Sequence, residues 1–475
     1  MTEKEYISLL KSHISNQDSQ LVIQAEQLRL QAIQLKQQAD KIILLEKKVE
    51  YLLSLLQKQG IKKDSHNSHL PPSKDIFVAN KSLREPSTRK SGGQLGHKGH
   101  TLEMSANPDV VIDLKSNTCS ECGYELQDAT FVLNAKRQVV DIPIVPPPVY
   151  TEYDQYSCQC PCCHHKQLAD FPAGINAPIQ YGSYIEAQVS YLSVFQYMPY
   201  NRIKSYFQQV FNLFFSEGTI KNILKRASAK ASNFYGGIKA NIFTSSCVGS
   251  DETSVHVNGK RDYIWVWHNE LNTYLFASDN RASKTVDFVW KDGLPNAILV
   301  SDRYAAQLKM STKGNQVCLA HLLRDAIALD EEERHPFAQQ FIKFLRLIFK
   351  LNKIFKKRNN ACNEQEATFF ENKLNQLLAI SISEESCPKT VTFQNSMLKC
   401  RSFILPCIYY LDIPPDNNGS ERAIRNVKVK AKVSGQFKSG QQDFCVLRSV
   451  IDTFIKRNLD VLSSLVQIMD GNFSF

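Results

Sequence analysis

Leu21, Leu28, Leu35, Ile42, Val49 and Leu56 recur every seven residues, and Ala25, Ala32, Ala39 and Leu53 follow four positions later in most of those heptads. That spacing predicts the seam of a coiled coil over residues 1–60, with a polar break at Glu46 and an end at Gly60. Its plain alternative is one amphipathic helix packed on its own chain; the regularity favours a zipper that pairs protomers. Residues 61–110 lose this period. SHNSHLPPSKD and RKSGGQLGHKGHTL read as an arm or linker.

Between 111 and 172, strand-like runs (FVLNAKRQVVDIPIV, VYTEYDQYSC) alternate with paired cysteines. Residues 173–240 read as helical: Tyr184, Tyr191 and Phe195 form one set, Phe207, Phe211 and Phe214 another, and both are expected in a core. A mixed strand and helix unit follows over 241–329. CVGSD is a short apolar strand ending in an acid. SVHV and KRDYIWVW flank Asn258-Gly259, the dipeptide of a tight hairpin, and TYLFAS is a third strand. ASKTVDFVW is a helix, and AILVSD is a fourth strand ending in an acid. Residues 330–404 read as a helical insertion, with KFLRLIFKLNKIFKK strongly amphipathic. Residues 405–475 return to the mixed unit and close on helices. After Pro414-Pro415, DNNGSERAIRNVKVKAK opens a basic helix.

Composition sharpens this picture. A chain of 475 residues with 43% hydrophobic and 10% aromatic content holds several domains with real cores. The formal charge of +10 leans towards an anionic partner. The excess is concentrated: Gln57–His100 carries nine Lys or Arg against three Asp or Glu, which makes Lys90 and Lys98 candidates for phosphate contact. The opening MTEKEYISLL is polar, and no apolar run is long enough for a membrane span. A cytoplasmic setting is expected, in which the 13 cysteines are reduced thiols and their clusters point to metal.

Four groups of residues carry candidate chemistry. Asp251 and Asp302 close apolar strands, and Glu421 opens a helix that can lie against the sheet. Carboxylates so placed can share two Mg²⁺ (or Mn²⁺) ions for displacement at phosphorus. Glu252, Asp262 and Asp416 are acidic alternatives nearby. The second group is Cys119 with Cys122 and Cys160 with Cys163, two equal spacings joined by 37 residues (123–159), the pattern of a Zn²⁺ ribbon. In the second pair Cys158, Cys162, His164 and His165 compete as ligands. The third is the run Arg422, Arg425, Lys428, Lys430, Lys432 and Lys438, with no acid after Glu421; its cations suit a phosphodiester backbone. The fourth is CLAHLLRD, where Cys318 and His321 suggest a metal or nucleophile pair whose second half is not visible in the sequence.

In order along the chain, the zipper, NSHLPPSKD, GGQLGHKGHTL, CSECG, CPCCH, DETSVHVNGK, SDRYAAQ, CLAHLLRD and DNNGSERAIRNVKVKAKVSGQF resemble the transposases of the insertion sequence 66 family over nearly the full length. The resemblance implies an α+β multidomain protein with an N-terminal coiled coil, a zinc ribbon and an RNase H-like α/β catalytic domain carrying a helical insertion. It implies a D-D-E triad of Asp251 from DET, Asp302 from SDRY and Glu421 from DNNGSER, and it gives Lys428 the place of a helix lysine used near the transposon end. It implies metal-dependent cleavage at element ends and strand transfer into target DNA. The protein would be a bacterial, nucleoid-associated homodimer or higher oligomer, working beside accessory proteins of the same element. In CPCCH, His164 stands where the family pattern has glycine. A DNA-binding regulator with a vestigial fold and a purely hydrolytic nuclease share most of these features, and joined DNA products separate them from a transposase.

Overall fold

A computed structural model of the chain describes residues 24, 26–43, 45, 46, 48, 49, 103–142 and 147–473. The described part of the zipper is helical, α1 over 26–43, and Leu28, Leu35, Ile42 and Val49 are all exposed along it. The remainder of that seam and most of the arm, with Lys90 and Lys98, lie outside the described residues. The cysteine region holds one short antiparallel hairpin, β1 (Ser157–Gln159) with β2 (Lys166–Leu168).

A helical layer follows: α2 (Ser183–Ser190), a π-turn at Tyr191–Phe195, α3 (Tyr200–Phe211), α4 (Glu217–Lys230) and α5 (Ser232–Phe243). Asn212 ends α3 in the left-handed conformation, and Ser216 caps α4 by accepting the amide of Thr219. The sheet starts next. β3 (Cys247–Val257) and β4 (Lys260–His268) form a hairpin about Asn258 and Gly259, whose φ angles of 49° and 75° are those a tight primed turn requires. After β4 come β5 (Thr273–Ser278), α6 (Ser283–Val289), β6 (Leu294–Ser301), α7 (Ala305–Leu308) and β7 (Thr312–Val317). The strand order is β5-β4-β3-β6-β7; the first two pairings are antiparallel, and β3–β6 and β6–β7 are parallel.

Two sequence expectations change here. Asp251 does not close its strand but lies midway along β3, because the hairpin continues the strand to Val257. No strand is expected from sequence between AILVSD and the helical insertion, yet TKGNQV is the edge strand β7. Its polar letters hide it. Gln316 is buried and satisfied, accepting the amide of Cys407 at 2.8 Å and donating to the carbonyls of Val317 and Ile404.

The insertion is α8 (Leu319–Glu333), α9 (Pro336–Arg358), α10 (Glu364–Leu378), α11 (Pro388–Lys399) and the short α12 (Pro406–Tyr409). The chain returns with α13 (Asn418–Ser434) and ends on α14 (Gln441–Lys456) and α15 (Val461–Met469). The period of β6 shows how the layers stack. Ala297 and Leu299 belong to one apolar cluster with the helices on either side of the insertion in sequence, while Ile298 and Val300 belong to another with the insertion itself. The sheet is therefore covered on both faces, and its middle strands hold their side chains rigidly.

Candidate active site

The parallel register fixes the first two acids. Gly249 pairs with Val300, so Asp251 and Asp302 each stand two residues further along adjacent parallel strands. Two is the period of a strand, so both leave on the same face and at the same level. Asp302 lies just past the end of β6, where its Oδ1 accepts the amide of Tyr304 at 2.8 Å. Asp251 Oδ1 accepts the amide of Glu252 at 2.8 Å.

Glu421 lies in the first turn of α13, near enough to raise the Asp251 carboxyl. The segment before it is tied to the sheet and to α8 at once. The Asn417 side-chain amide donates to the Ser250 carbonyl at 2.7 Å, and the Asn417 backbone N–H donates to the Cys318 sulfur at 3.2 Å. Ser420 Oγ donates to Asn417 Oδ1 at 2.7 Å, and the amide of Leu319 donates to the Pro415 carbonyl at 2.9 Å. CLAHLLRD thus finds its second half almost a hundred residues downstream. Cys318, His321 and Arg324 recur at three-residue steps on one side of α8: the first seats Asn417, and the other two face Glu421, at 3.8 Å from His321 Nε2 and 3.3 Å from Arg324. That spacing is the sequence signal for the group. Asp302, Arg303, Tyr304 and His321 line a shared cleft.

Of the alternative acids, Glu252 is committed elsewhere. Its side chain is buried and holds Arg281 at 2.7 Å through Oε1, while Gln307 donates to Oε2 at 2.8 Å. The Arg281 guanidinium lies 4.1 Å over the ring of Tyr304, whose hydroxyl donates to the Arg281 carbonyl. This brace joins β3 to the loop that carries Asp302. Asp416 accepts the amide of Asn418 in a local turn, and Asp262 accepts from Gln441.

The electrostatics mark Asp251. Burial raises its carboxyl well above the usual range, and Glu252, Asp302 and Glu421 push in the same direction, against the Glu252 amide, which lowers it. Burial also raises Glu252, though Arg281 counters it. An all-oxygen set of crowded carboxylates suits a hard divalent cation, which would supply the missing positive charge. As the side chains stand, no three acid, His or Cys groups among the described residues share reach of one ion, and Glu421 is turned to Arg324 and His321.

The basic face of α13 needs one correction. Arg422, Arg425, Lys428 and Lys432 are exposed, with Lys428 Nζ donating to the Ser254 carbonyl at 3.1 Å. Lys430 is buried, 6% exposed, and donates to the Ser193 carbonyl of the π-turn at 3.3 Å beside the ring of Tyr200. It braces α13 against the helical layer and is turned away from any duplex lying on the exposed row.

Both cysteine pairs form the same turn. Cys119 N–H donates to the Tyr124 carbonyl and Gly123 N–H to the Cys119 carbonyl; Cys160 and His164 repeat this with His165 and Cys160. Gly123 (φ 75°) and His164 (φ 59°) occupy equivalent left-handed positions, so the histidine takes the conformation its glycine counterpart adopts. Amides of Cys122 and Glu121 lower the pKa of the Cys119 thiol, and those of Cys163 and Cys162 lower that of Cys160. The repetition singles out Cys160 with Cys163 in the crowded run. The four thiols do not stand together as one cluster.

No curated protein matches the chain. A family model described as "Transposase IS66 family" matches residues 178–442.

Proposed function

The chain belongs to the IS66 family of transposases, and on that premise we propose that Asp251, Asp302 and Glu421 are the D-D-E triad of a transposase that cleaves element ends and joins them to target DNA. The observation that carries this is the equal register of Asp251 and Asp302 on adjacent parallel strands, with Glu421 brought to them by the Asn417 clasp. The mixed five-stranded sheet, with acids on its middle strands and a helix bearing the third, supports an RNase H-like core split by the insertion. The proposed domains are those expected from sequence: 1–60, 61–110, 111–172, 173–240, 241–329, 330–404 and 405–475.

Two bound Mg²⁺ ions would supply activation of the attacking oxygen and stabilisation of the leaving oxygen in an in-line displacement at phosphorus. The chain's own work is positional. Asp251 and Asp302 are held on a rigid sheet, the Glu252–Arg281–Tyr304 brace keeps their two segments in step, and Arg324 orients Glu421. Water attack would expose a 3′ hydroxyl at the element end. That hydroxyl would then attack a target phosphodiester, forming one P–O bond as another breaks.

Arg422, Arg425, Lys428 and Lys432 are proposed to grip the DNA backbone beside the triad, with Lys90 and Lys98 of the arm as further contacts. The paired turns support a structural Zn²⁺ held by Cys119, Cys122, Cys160 and Cys163. The exposed seam of α1 supports dimerisation through the zipper, so that two ends are processed together. Accessory proteins of the same element and a nucleoid setting belong to this reading. Among the described residues no helix is long and apolar enough to cross a membrane. The test is incubation of the purified protein with labelled element ends, Mg²⁺ and a target plasmid. Joined products support a transposase, cleavage without joining indicates a hydrolytic nuclease, and binding alone indicates a regulator.

A further inference from the structure

His268 is the last residue of β4, paired in register with Gly249 of β3. Its imidazole lies against two glycines, and its Nε2 is shut off from solvent. A Cβ placed on Gly249 would come within 2.2 Å of Nε2, and one on Gly419 within 2.2 Å of Cε1. Neither glycine has a positive φ. Glycine is therefore required at both places for room, not for backbone conformation. Gly249 lies two residues before Asp251 and Gly419 two before Glu421. One ring thus stands against both backbone segments that carry two of the three acids.

The ring is also fixed in place. Nδ1 lies 3.3 Å from the Asn269 carbonyl, which accepts from Lys456 at 2.7 Å as well, and Nε2 has no hydrogen-bond partner. Burial, assisted by Lys456, pushes the pKa of the ring down to about 3, so it is neutral and Nδ1–H can donate to Asn269. Asn269 Oδ1 in turn accepts the amides of Leu271 and Asn272, which holds the β4–β5 turn rigid. The clasp from Asn417 to Ser250 pulls α13 towards β3, and the ring sets where that approach stops.

We propose that His268 is a positioning residue whose ring is the spacer that fixes the distance of Glu421 from Asp251. The assignment rests on the triad reading above. It is distinct from ordinary packing because the ring leaves no room for a Cβ at either glycine, and each glycine stands two residues before an acid. A displacement of about 1 Å at such a site lowers turnover by about a hundredfold.

The test is a double-variant cycle on the full-length protein: Gly419→Ala, His268→Ala and both together, with Asp251→Asn as reference. Mn²⁺ affinity, the rate and KM for labelled ends, and the melting temperature are measured for each. Gly419→Ala is expected to lose about a hundredfold in rate and to weaken Mn²⁺ binding, with KM for ends unchanged. The double variant is expected to recover at least about tenfold of that loss, because the new methyl occupies room vacated by the ring. Additive losses, or single variants with wild-type Mn²⁺ affinity and rate, overturn the spacer role. Recovery of melting temperature without recovery of Mn²⁺ affinity marks a packing contact only and overturns it too. If Asp251→Asn binds Mn²⁺ and cleaves as wild type does, the triad reading fails and the spacer role falls with it.

Discussion

The guanidinium of Arg324 stands 3.3 Å from the carboxylate of Glu421, 97 positions away along the chain. A planar fork can orient a carboxylate in a way a single ammonium cannot. Arg324→Ala is expected to slow end cleavage by about ten- to a hundredfold with little change in KM for the ends, and Arg324→Lys to recover only part of that. Single-turnover cleavage of labelled ends measures both; equal rates for Arg324→Ala and wild type would remove Arg324 from the site.

Asp251 should cost the fold stability. Its carboxyl is raised by burial and by the acids around it, so the folded state holds a proton more tightly than the unfolded chain does. Between the unfolded value and the raised folded one, stability falls as pH rises. Asp251→Asn should therefore melt higher than wild type in EDTA, gain nothing from Mg²⁺, and lose cleavage and strand transfer while binding DNA nearly normally. Calorimetry with and without Mg²⁺, set beside the joining assay, decides it.

His268 has the opposite linkage to acid. A ring with a folded pKa of about 3 against 6.5 takes up its proton in the unfolded chain first. Its contribution to stability is complete above pH 6.5 and declines below it, by at most about 1.4 kcal/mol per pH unit down to about 3. Acid titration of His268→Gln should show a flatter decline between pH 6.5 and 4, and an unchanged slope would contradict the burial of a neutral ring.

The row on α13 divides into exposed cations, proposed to meet DNA, and one buried lysine. Arg422→Ala and Arg425→Ala should each weaken binding to all sequences alike and reduce the salt slope by about one. Lys430→Met should leave both unchanged. Burial lowers the pKa of Lys430 to about 8, so removing its charge should also preserve or raise the melting temperature near neutral pH. Binding isotherms at several salt concentrations separate the two classes, and a salt slope altered by Lys430→Met would return that lysine to the interface.

The paired turns predict which thiols carry metal. Cys119→Ser and Cys160→Ser should each release bound zinc, whereas Cys158→Ser and Cys162→Ser should retain it. Zinc content by elemental analysis of protein purified without chelator is the measurement, and retention in Cys160→Ser would move the register of the second pair.

What the sequence revealed and what it hid follow from range. The hairpin at Asn258-Gly259, the strands around it and the opening of α13 were legible because turn chemistry and side-chain period are local. β7 was not, because its polar Gln316 is satisfied by partners that only the fold supplies. Asp251 was singled out although its place in the strand was misjudged: pairing with β4 carries β3 six residues past it. Lys430 read as one of a row, since three positions of a helix do not reveal which face another layer covers. The partners of Cys318, His321 and Arg324 were invisible because they arrive from the far side of the insertion.

Asp302 and Arg303 are neighbours with opposite allegiances. The carboxylate belongs to the acids, while the guanidinium reaches Asp325 on α8 and Ser396 on α11, with Phe393 beneath it. The inserted helices are thereby a handle on the chemistry, and a lever one peptide unit long connects them to it. Any tilt of α11 would be felt first at Arg303, through Ser396 and Phe393, one residue from Asp302.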